Sequence, residues 1–343
     1  MRVLVIGGTR FVGYQLVWRL LAGGHAVTIL NRGLHPDPFG ERVERLIADR
    51  TTSEFERELT GKSFDSTVDF AAYTAGDVQQ ALSVLGRGRA GHYVFISTGQ
   101  VYLVLDSCHS PAREEDYYGT LLPEPAEPSS RDEWSYGVQK RQAEDVLTEA
   151  WAASGFPATR LRLPMVNGER DPYHRIESYL WRILDGGPVL LPDGGAQPIR
   201  HVYSGEVVRV ITSILGNGAT FGEAYNLTQD RMPTLAELVS LLANLLGSPA
   251  RPLPVSSDQL REAGLEPTEI SPFSTRWMSC LDGSRARVEL GFRHEPLRTY
   301  LEKIVTCFIN HPPELPENYR HRNAELALAA RFEGQPLPSP FDE

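Results

Sequence analysis

Two residues four positions apart, Tyr136 and Lys140 in YGVQK, carry the first chemical signal of the chain. Residues at i and i+4 share one face of a helix. An ammonium beside a phenol favours the phenolate and so lowers a pKa that is about 10 when unperturbed. Tyr136 so placed is a general acid/base usable near neutral pH. A second hydroxyl stands at Thr98 in STGQVY, Ser97 to Tyr102, where it can orient a substrate oxygen. The third signal is GGTRFVG, Gly7 to Gly13, covering Gly7, Gly8, Thr9, Arg10, Phe11, Val12 and Gly13. Its first glycines follow an apolar run and its last falls in the opening turn of a helical pattern. That is the context of a loop cradling the pyrophosphate of a dinucleotide. Arg10 replaces the middle glycine; beside a helix N-terminus, which favours anions, it adds a bidentate phosphate grip. The next strand ends in Asn31-Arg32, with no carboxylate for a ribose 2′-hydroxyl. Arg10 and Arg32 together suit a 2′-phosphate, which favours NADP(H) and leaves NAD(H) open.

These residues need a scaffold, and the first half of the chain supplies one. Candidate strands are Arg2–Ile6, Ala26–Leu30, Ser66–Phe70, His92–Ser97 and Ala158–Leu163, several of them continuously apolar as in strands buried on both faces of a parallel sheet. Helical patterns at Phe11–Leu21, Val78–Leu85 and Trp134–Ala153 alternate with them. The alternation predicts an α/β, Rossmann-type doubly wound parallel sheet, with Thr98 at the carboxyl end of a strand, where such sheets bind ligands. After Pro164 the pattern changes. LPMVNGERDPYHR and DGGPVLLPDGGAQP read as loops, a helix covers Ile176–Leu184, and RHVYSGEVVRVITSIL reads as a strand turning into a helix. EAYNLT is a further strand, and TLAELVSLLANLL is a helix opened by a Thr234/Glu237 capping box. Ser248 to Asp282 reads as irregular, Tyr319–Glu333 as a surface helix and GQPLPSPFDE as a frayed tail. The expected organisation is a nucleotide-binding domain over 1–165, with segments near 200–230 returning to it. A smaller C-terminal substrate-binding domain over 166–330 and a tail over 331–343 follow.

Composition narrows the class. The chain has 343 residues, 41% of them hydrophobic, and a net charge of −10, a globular composition poorly matched to a phosphate backbone. No nucleic-acid partner is expected. Cys108, Cys280 and Cys307 are far apart and lack CxxC spacing, so free thiols in a reducing cytoplasm are expected rather than disulfides or zinc. Asp106, Cys108 and His109 crowd LDSCHSP, but three unlike ligands this close seldom satisfy tetrahedral geometry, so no metal is expected. The opening apolar run is too short for a signal peptide, and no apolar stretch of about twenty residues suggests a membrane span. Aromatics in HRIESYLWRIL read as core or as pocket wall.

Taken together, the glycine loop, the Thr98 strand end, Tyr136/Lys140, LRLPMVNG and RHVYSGEVV resemble the extended branch of the short-chain dehydrogenase/reductase superfamily. Within it, GGTRFVG, NRG and YGVQKRQAE look most like an atypical subgroup. That subgroup contains bacterial epimerase/dehydratase-like proteins and the chloroplast stem-loop-binding proteins. The resemblance implies a nicotinamide cofactor, Tyr136 as acid/base, Lys140 on the nicotinamide ribose, and Thr98 on the substrate. It puts Asp49, followed by Arg50, near the adenine, Ala71, Ala72 and Tyr73 along the adenosine ribose, and Ser97 and Pro164 against the cofactor. Gln100 and Arg200 fall on the substrate, the latter as a phosphate-binding arginine. It also implies a homodimer through the helices at Val78–Leu85 and Trp134–Ala153.

Departures from that pattern narrow the chemistry. The 4,6-dehydratases of the branch carry Asp-Glu directly after the catalytic threonine; here Gly99 and Gln100 stand there. The sugar-acid decarboxylases place a glutamate, and the fucose-nucleotide epimerase/reductases a cysteine, where this chain has Gln100. A neutral amide only donates or accepts hydrogen bonds, which disfavours elimination, decarboxylation and double epimerisation. What survives is hydride transfer with one proton relay: a reductase, an alcohol dehydrogenase or a single-carbon epimerase acting on a sugar nucleotide or similar polyhydroxylated or keto substrate. The alternative from another class is a catalytically silent NADP- or RNA-binding protein.

Overall fold

The computed structural model describes residues 1–86 and 88–332; most of the expected tail, from residue 333, lies outside the described residues. In chain order the elements are β1 (Arg2–Ile6), α1 (Phe11–Ala22), β2 (Ala26–Asn31), β3 (Val43–Ile47), α2 (Glu54–Leu59), β4 (Ser66–Asp69) and α3 (Ala75–Leu85). Next come β5 (His92–Thr98), α4 (Gln100–Leu103), α5 (Pro128–Ser154), β6 (Ala158–Leu163), β7 (Met165–Asn167), α6 (Glu177–Leu184) and β8 (Pro188–Pro192). The chain continues through β9 (His201–Tyr203), α7 (Ser204–Ile214), β10 (Ala224–Asn226), α8 (Leu235–Leu246), β11 (Arg251–Val255), α9 (Ser257–Glu262) and α10 (Pro267–Ile270). It closes with α11 (Ser284–Leu290), α12 (Leu297–Asn310) and α13 (Arg322–Ala330).

Contacts gather these elements into two compact units. The first comprises Met1–Pro172, Arg200–Asp230 and Trp277–Glu295; the second comprises Tyr173–Ile199, Arg231–Arg276 and the described residues from Pro296 on. The first unit is built on a seven-stranded sheet of order β10-β6-β5-β4-β1-β2-β3, parallel throughout. Successive strand residues point to opposite faces, and β1 shows why its run is apolar throughout. Val3 and Val5 pack on one face with Leu16, Val17 and Ile211, while Leu4 and Ile6 pack on the other with Val78, Leu85 and Leu147. Each such fully buried side chain contributes about 1.5–3 kcal/mol. The order reverses at β1, between β4 and β2, which puts the segment after β1 at the switch point where ligands of such sheets bind.

The second unit pairs β8 with β11 in parallel and packs Leu190, Val255, Leu260, Ile270 and Leu328 into its own small core. Thr234 and Glu237 form the reciprocal capping box at the start of α8, and Gly247 ends it in the left-handed conformation.

The structure departs from the sequence-based expectations in several places. β3 sits at the sheet edge, bonded to β2 alone, so VERLI carries only the broken alternation of a half-covered strand. β8 lies inside the expected loop DGGPVLLPDGGAQP. Ser248 to Asp282 is not irregular but holds β11, α9 and α10; the two prolines of RPLPV are tolerated because β11 pairs on one side only. α5 begins at Pro128, six residues before Trp134, because Glu127 caps the Ser129 and Ser130 amides ahead of a proline at the first helical position. Trp277–Glu295 groups with the first unit, sewn there by the backbone of Ala112, which bonds Cys280 and Asp282, and by Asn226, which donates to the Asp282 carbonyl.

Candidate active site

The glycine loop is set by sterics. Gly7 has φ +88°, a region that favours glycine. At Gly13 a Cβ would stand 2.8 Å from the Gly7 carbonyl oxygen and 3.0 Å from Gly8 Cα, so only glycine lets α1 start this close to β1. Val12 is buried in the core beneath the loop, Gly8 is buried, Thr9 is half-buried, and Phe11 opens the helix at φ +45°, a strained value for a residue with a Cβ. Arg10 occupies the N-cap in an extended conformation and caps nothing with its side chain, which is exposed. The first amides of α1 are therefore left for an anion. After β2, Asn31 Oδ1 accepts from the Gly33 amide at 2.8 Å, and Arg32 is exposed. Hydrogen bonds from Thr51 hold the Asp49 carboxyl below its ordinary range, and the Arg32 charge adds to the effect.

Arg50, expected beside the cofactor, turns inward instead. It forms a buried ion pair with Asp69 at 2.8 Å and donates to the Asp77 carbonyl oxygen at 3.0 Å. Asp69 also accepts from Tyr93 Oη at 2.6 Å and from the amides of Ala71 and Ala72 at 2.8 and 2.9 Å. Burial alone would raise the Asp69 carboxyl, but the Arg50 charge overrides it and holds it below the ordinary carboxylate range. The role of Arg50 is thus to fix the 71–73 loop through Asp69. That loop reaches Lys140. Lys140 Nζ donates to the carbonyl oxygens of Ala72 at 2.7 Å and Ile96 at 2.8 Å and lies 4.9 Å from the centre of the Tyr73 ring. Tyr73, half exposed, has its ring centre 6.4 Å from that of Tyr136. Ala72 and Tyr73 therefore gather at Lys140, the residue the resemblance gives to the nicotinamide ribose. Burial pulls the Lys140 ammonium down to about 8.

Contacts along one face of α5 bracket Tyr136. Lys140 reaches Ile96 in β5, and Glu133 Oε2 accepts from the Gln100 amide beyond the end of β5. Between them, a Cβ at Gly137 would meet the Gln100 carbonyl oxygen at 2.9 Å and Val104 at 2.6 Å, so glycine brings the helix onto α4. Tyr136 lies between these rungs on α5, as Thr98 lies between Ile96 and Gln100 on the facing segment. Thr98 Oγ1 accepts from the Gln100 backbone N–H at 3.2 Å, keeping its own proton to donate. The Gly99 amide donates to the Leu163 carbonyl at 2.7 Å, which seats buried Pro164 beside the same strand end. A Cβ at Gly99 would collide with Ser279 Oγ, and Arg200 donates to the Met278 carbonyl oxygen at 3.1 Å, so the 277–283 segment and Arg200 adjoin this end of the sheet.

Ser97, expected to line the cofactor, points its hydroxyl to Glu144 at 2.5 Å. Glu144, one turn beyond Lys140, receives two nitrogens of Arg162, at 2.6 and 3.1 Å, and both residues are fully buried. Burial pushes the Glu144 carboxyl up, and the Arg162 charge more than offsets it. Sequence reasoning missed Glu133 and Glu144. The rule that joined Tyr136 to Lys140 reaches both, at i−3 from Tyr136 and i+4 from Lys140. Among the described residues no group of three or more His, Cys, Asp or Glu is placed to hold a metal ion, and no helix is long and apolar enough to cross a membrane.

Residues 3–228 match the model described as NAD dependent epimerase/dehydratase family. The chain is 26% identical over 263 residues to the chloroplast stem-loop binding protein of 41 kDa b of Arabidopsis thaliana, covering 72% of this chain and 64% of that protein, just under two thirds of its length. It is 25% identical over 287 residues to 2′-dehydrokanamycin reductase of Streptomyces kanamyceticus, covering 82% and 77%. Its fold is similar to that of dTDP-glucose 4,6-dehydratase from Bacillus anthracis in complex with NAD, with a TM-score of 0.71 at 16% identity over 91% of this chain and 97% of the other. At that identity the structural likeness is one of fold.

Proposed function

The chain belongs to the NAD dependent epimerase/dehydratase family, and on that premise we propose that it is an NADP(H)-linked oxidoreductase, or a single-carbon epimerase, acting on a secondary alcohol or ketone of a polyhydroxylated substrate such as a sugar nucleotide. The observation that carries this reading is the pair of contacts, Lys140 to Ile96 and Glu133 to Gln100, that bracket Tyr136 on α5 and Thr98 at the carboxyl end of β5.

A nicotinamide dinucleotide fits the residues present. The cradle that a Cβ at Gly13 would fill is the close backbone approach a pyrophosphate requires, and exposed Arg10 and Arg32 suit a 2′-phosphate. When bound, that cofactor supplies the redox step by exchanging a hydride with the substrate carbon. The chain's own residues do the rest. Thr98 donates its hydroxyl proton to the substrate oxygen and orients it. Tyr136 takes the proton from the alcohol during oxidation and returns it to the ketone oxygen during reduction. Lys140, still largely protonated at neutral pH with its pKa about 8, keeps a positive charge one helical turn away and favours the phenolate. The relative named as a reductase of 2′-dehydrokanamycin supports carbonyl reduction as the direction to test first.

The test is to offer purified protein NADPH or NADP⁺ with a panel of keto-sugars and sugar nucleotides and to follow absorbance. Turnover is expected, and Tyr136→Phe should lower it about 10²–10⁴-fold while NADPH still binds. Full activity in that variant would overturn the assignment. No turnover across the panel, with RNA retained on a filter, would favour a silent binding protein.

A further inference from the structure

The site holds a carboxylate that the reaction above leaves unused. Glu133 lies one turn ahead of Tyr136 on α5, is exposed, and among the described residues accepts only from the Gln100 side-chain amide, at one oxygen. All three cations of α5 are engaged elsewhere. Arg131 pairs with Glu124, Lys140 donates to the carbonyls of Ala72 and Ile96, and Arg141 donates to those of Val101 and Tyr117. Among the described residues no lysine, arginine or histidine pairs with Glu133.

The Gln100 contact also fixes what that side chain has to offer. Its NH₂ group faces the carboxylate, so the atom left to receive a substrate donor is the amide oxygen. One negative charge and two acceptor atoms thus stand one helical turn from Tyr136 and two residues from Thr98. An incoming phosphate or carboxylate is repelled there. A neutral hydroxyl gains an ordinary hydrogen bond. An alkylammonium, with three donors and a positive charge, gains charge-assisted bonds roughly twice as strong.

Resting on the Thr98–Tyr136 reading above, we propose that Glu133, with Gln100, recognises a protonated amino group near the reacting carbon, so that the substrate class is an amino sugar. Glu133 acts as a specificity residue: it reads the substituent beside the carbon that reacts.

The experiment measures binding to protein saturated with NADPH, using two matched pairs of probes: UDP-glucosamine against UDP-glucose, and kanamycin against maltotriose. In at least one pair the amino member should bind wild-type protein about tenfold better or more, and Glu133→Gln should erase that preference. The neutral member should bind both forms alike, and unchanged NADPH affinity shows that the variant is folded. Equal binding within both pairs, or a preference that survives Glu133→Gln, overturns the proposal while cofactor binding and turnover still stand. Failure to bind NADPH, or to turn over any substrate, strikes the underlying oxidoreductase reading instead.

Discussion

At the β5–β6 end of the sheet edge the polar side chains already hold one another. Ser97 is bonded to Glu144, Glu144 to Arg162, and Lys140 to two carbonyls, all of them buried. At the β1–β2 end of the same edge, Arg10 and Arg32 stand exposed, and Arg10 caps nothing with its side chain. The proposed function accounts for the difference. Proton transfer demands fixed positions, because a small misplacement costs rate steeply, so the protein supplies its own partners there. Recognition of a charged group can leave its cations in water, because the ligand brings the counter-charge.

The sharpest way to break this comparison is Glu144→Ala. It strands Arg162 in the core without its carboxylate, and removing one partner of a buried pair costs about 3–5 kcal/mol. Because Glu144 shares its helix face with Tyr136 and Lys140, activity should fall with stability. Denaturant unfolding checks it. A loss under about 1 kcal/mol, the scale of an exposed pair, would mean that the β5–β6 end is not built as a closed network. Replacing both partners by apolar residues, Glu144→Leu with Arg162→Met, should recover most of the stability while leaving helix α5 without its polar anchor to Ser97.

His92, at the opposite, amino end of β5, tests how dry the interior of the same sheet is through pH. Its ring bonds Thr159 Oγ1 at 2.7 Å, and burial pulls its pKa from 6.5 down to about 4. Between those values the unfolded chain binds a proton that the folded chain does not. The stabilisation is therefore complete above pH 6.5 and falls as the pH drops towards 4, by roughly 3 kcal/mol. Urea unfolding at pH 7 and pH 4.5 should show the decline, and His92→Gln should flatten it. His201, pulled down to about 3 by burial, adds to the same slope and remains in that variant. An unchanged slope in His92→Gln would show that water reaches the imidazole.

How far this contrast could be read beforehand depended on how local each requirement was. The glycine loop was legible because its constraints act within seven residues: φ +88° at Gly7 and the 2.8 Å approach at Gly13 leave no other residue type. Tyr136 and Lys140 were legible for the same reason, since their spacing is a helical repeat. The closed network was not, because its members are remote in sequence: Arg162 lies 18 residues from Glu144, and Gln100 lies 33 from Glu133. A signal existed all the same. ATRLRL places Arg160 and Arg162 in a strand expected to be buried on both faces, and buried arginines demand partners. β3, β8 and β11 escaped because each pairs on one side only, so charges and prolines break the pattern a central strand would show. The return of 277–295 to the first unit rests on bonds to Ala112 and Asn226, more than 50 residues away, which no local pattern announces.

The smallest effect belongs to the open end, where Arg32→Ala tests the proposed NADP(H) preference. Removing an exposed guanidinium should leave stability within about 0.5 kcal/mol of wild type, because its listening post is solvent rather than core. The charge of Arg32 currently acts on Asp49, so its loss also leaves that carboxylate to repel a 2′-phosphate. NADPH affinity should therefore fall about tenfold, the weight of one charge-assisted contact, while NADH affinity holds. Arg10→Gly separates the two arginines: it should weaken NADPH by a similar factor if both clamp the 2′-phosphate, and leave the ratio untouched if Arg32 acts alone. Fluorescence titration of both cofactors on wild type and the two variants reads all six affinities without any substrate. An NADPH-to-NADH ratio unmoved by either substitution would show that the exposed arginines decorate the surface, and that the open end recognises the dinucleotide through the backbone of the glycine loop.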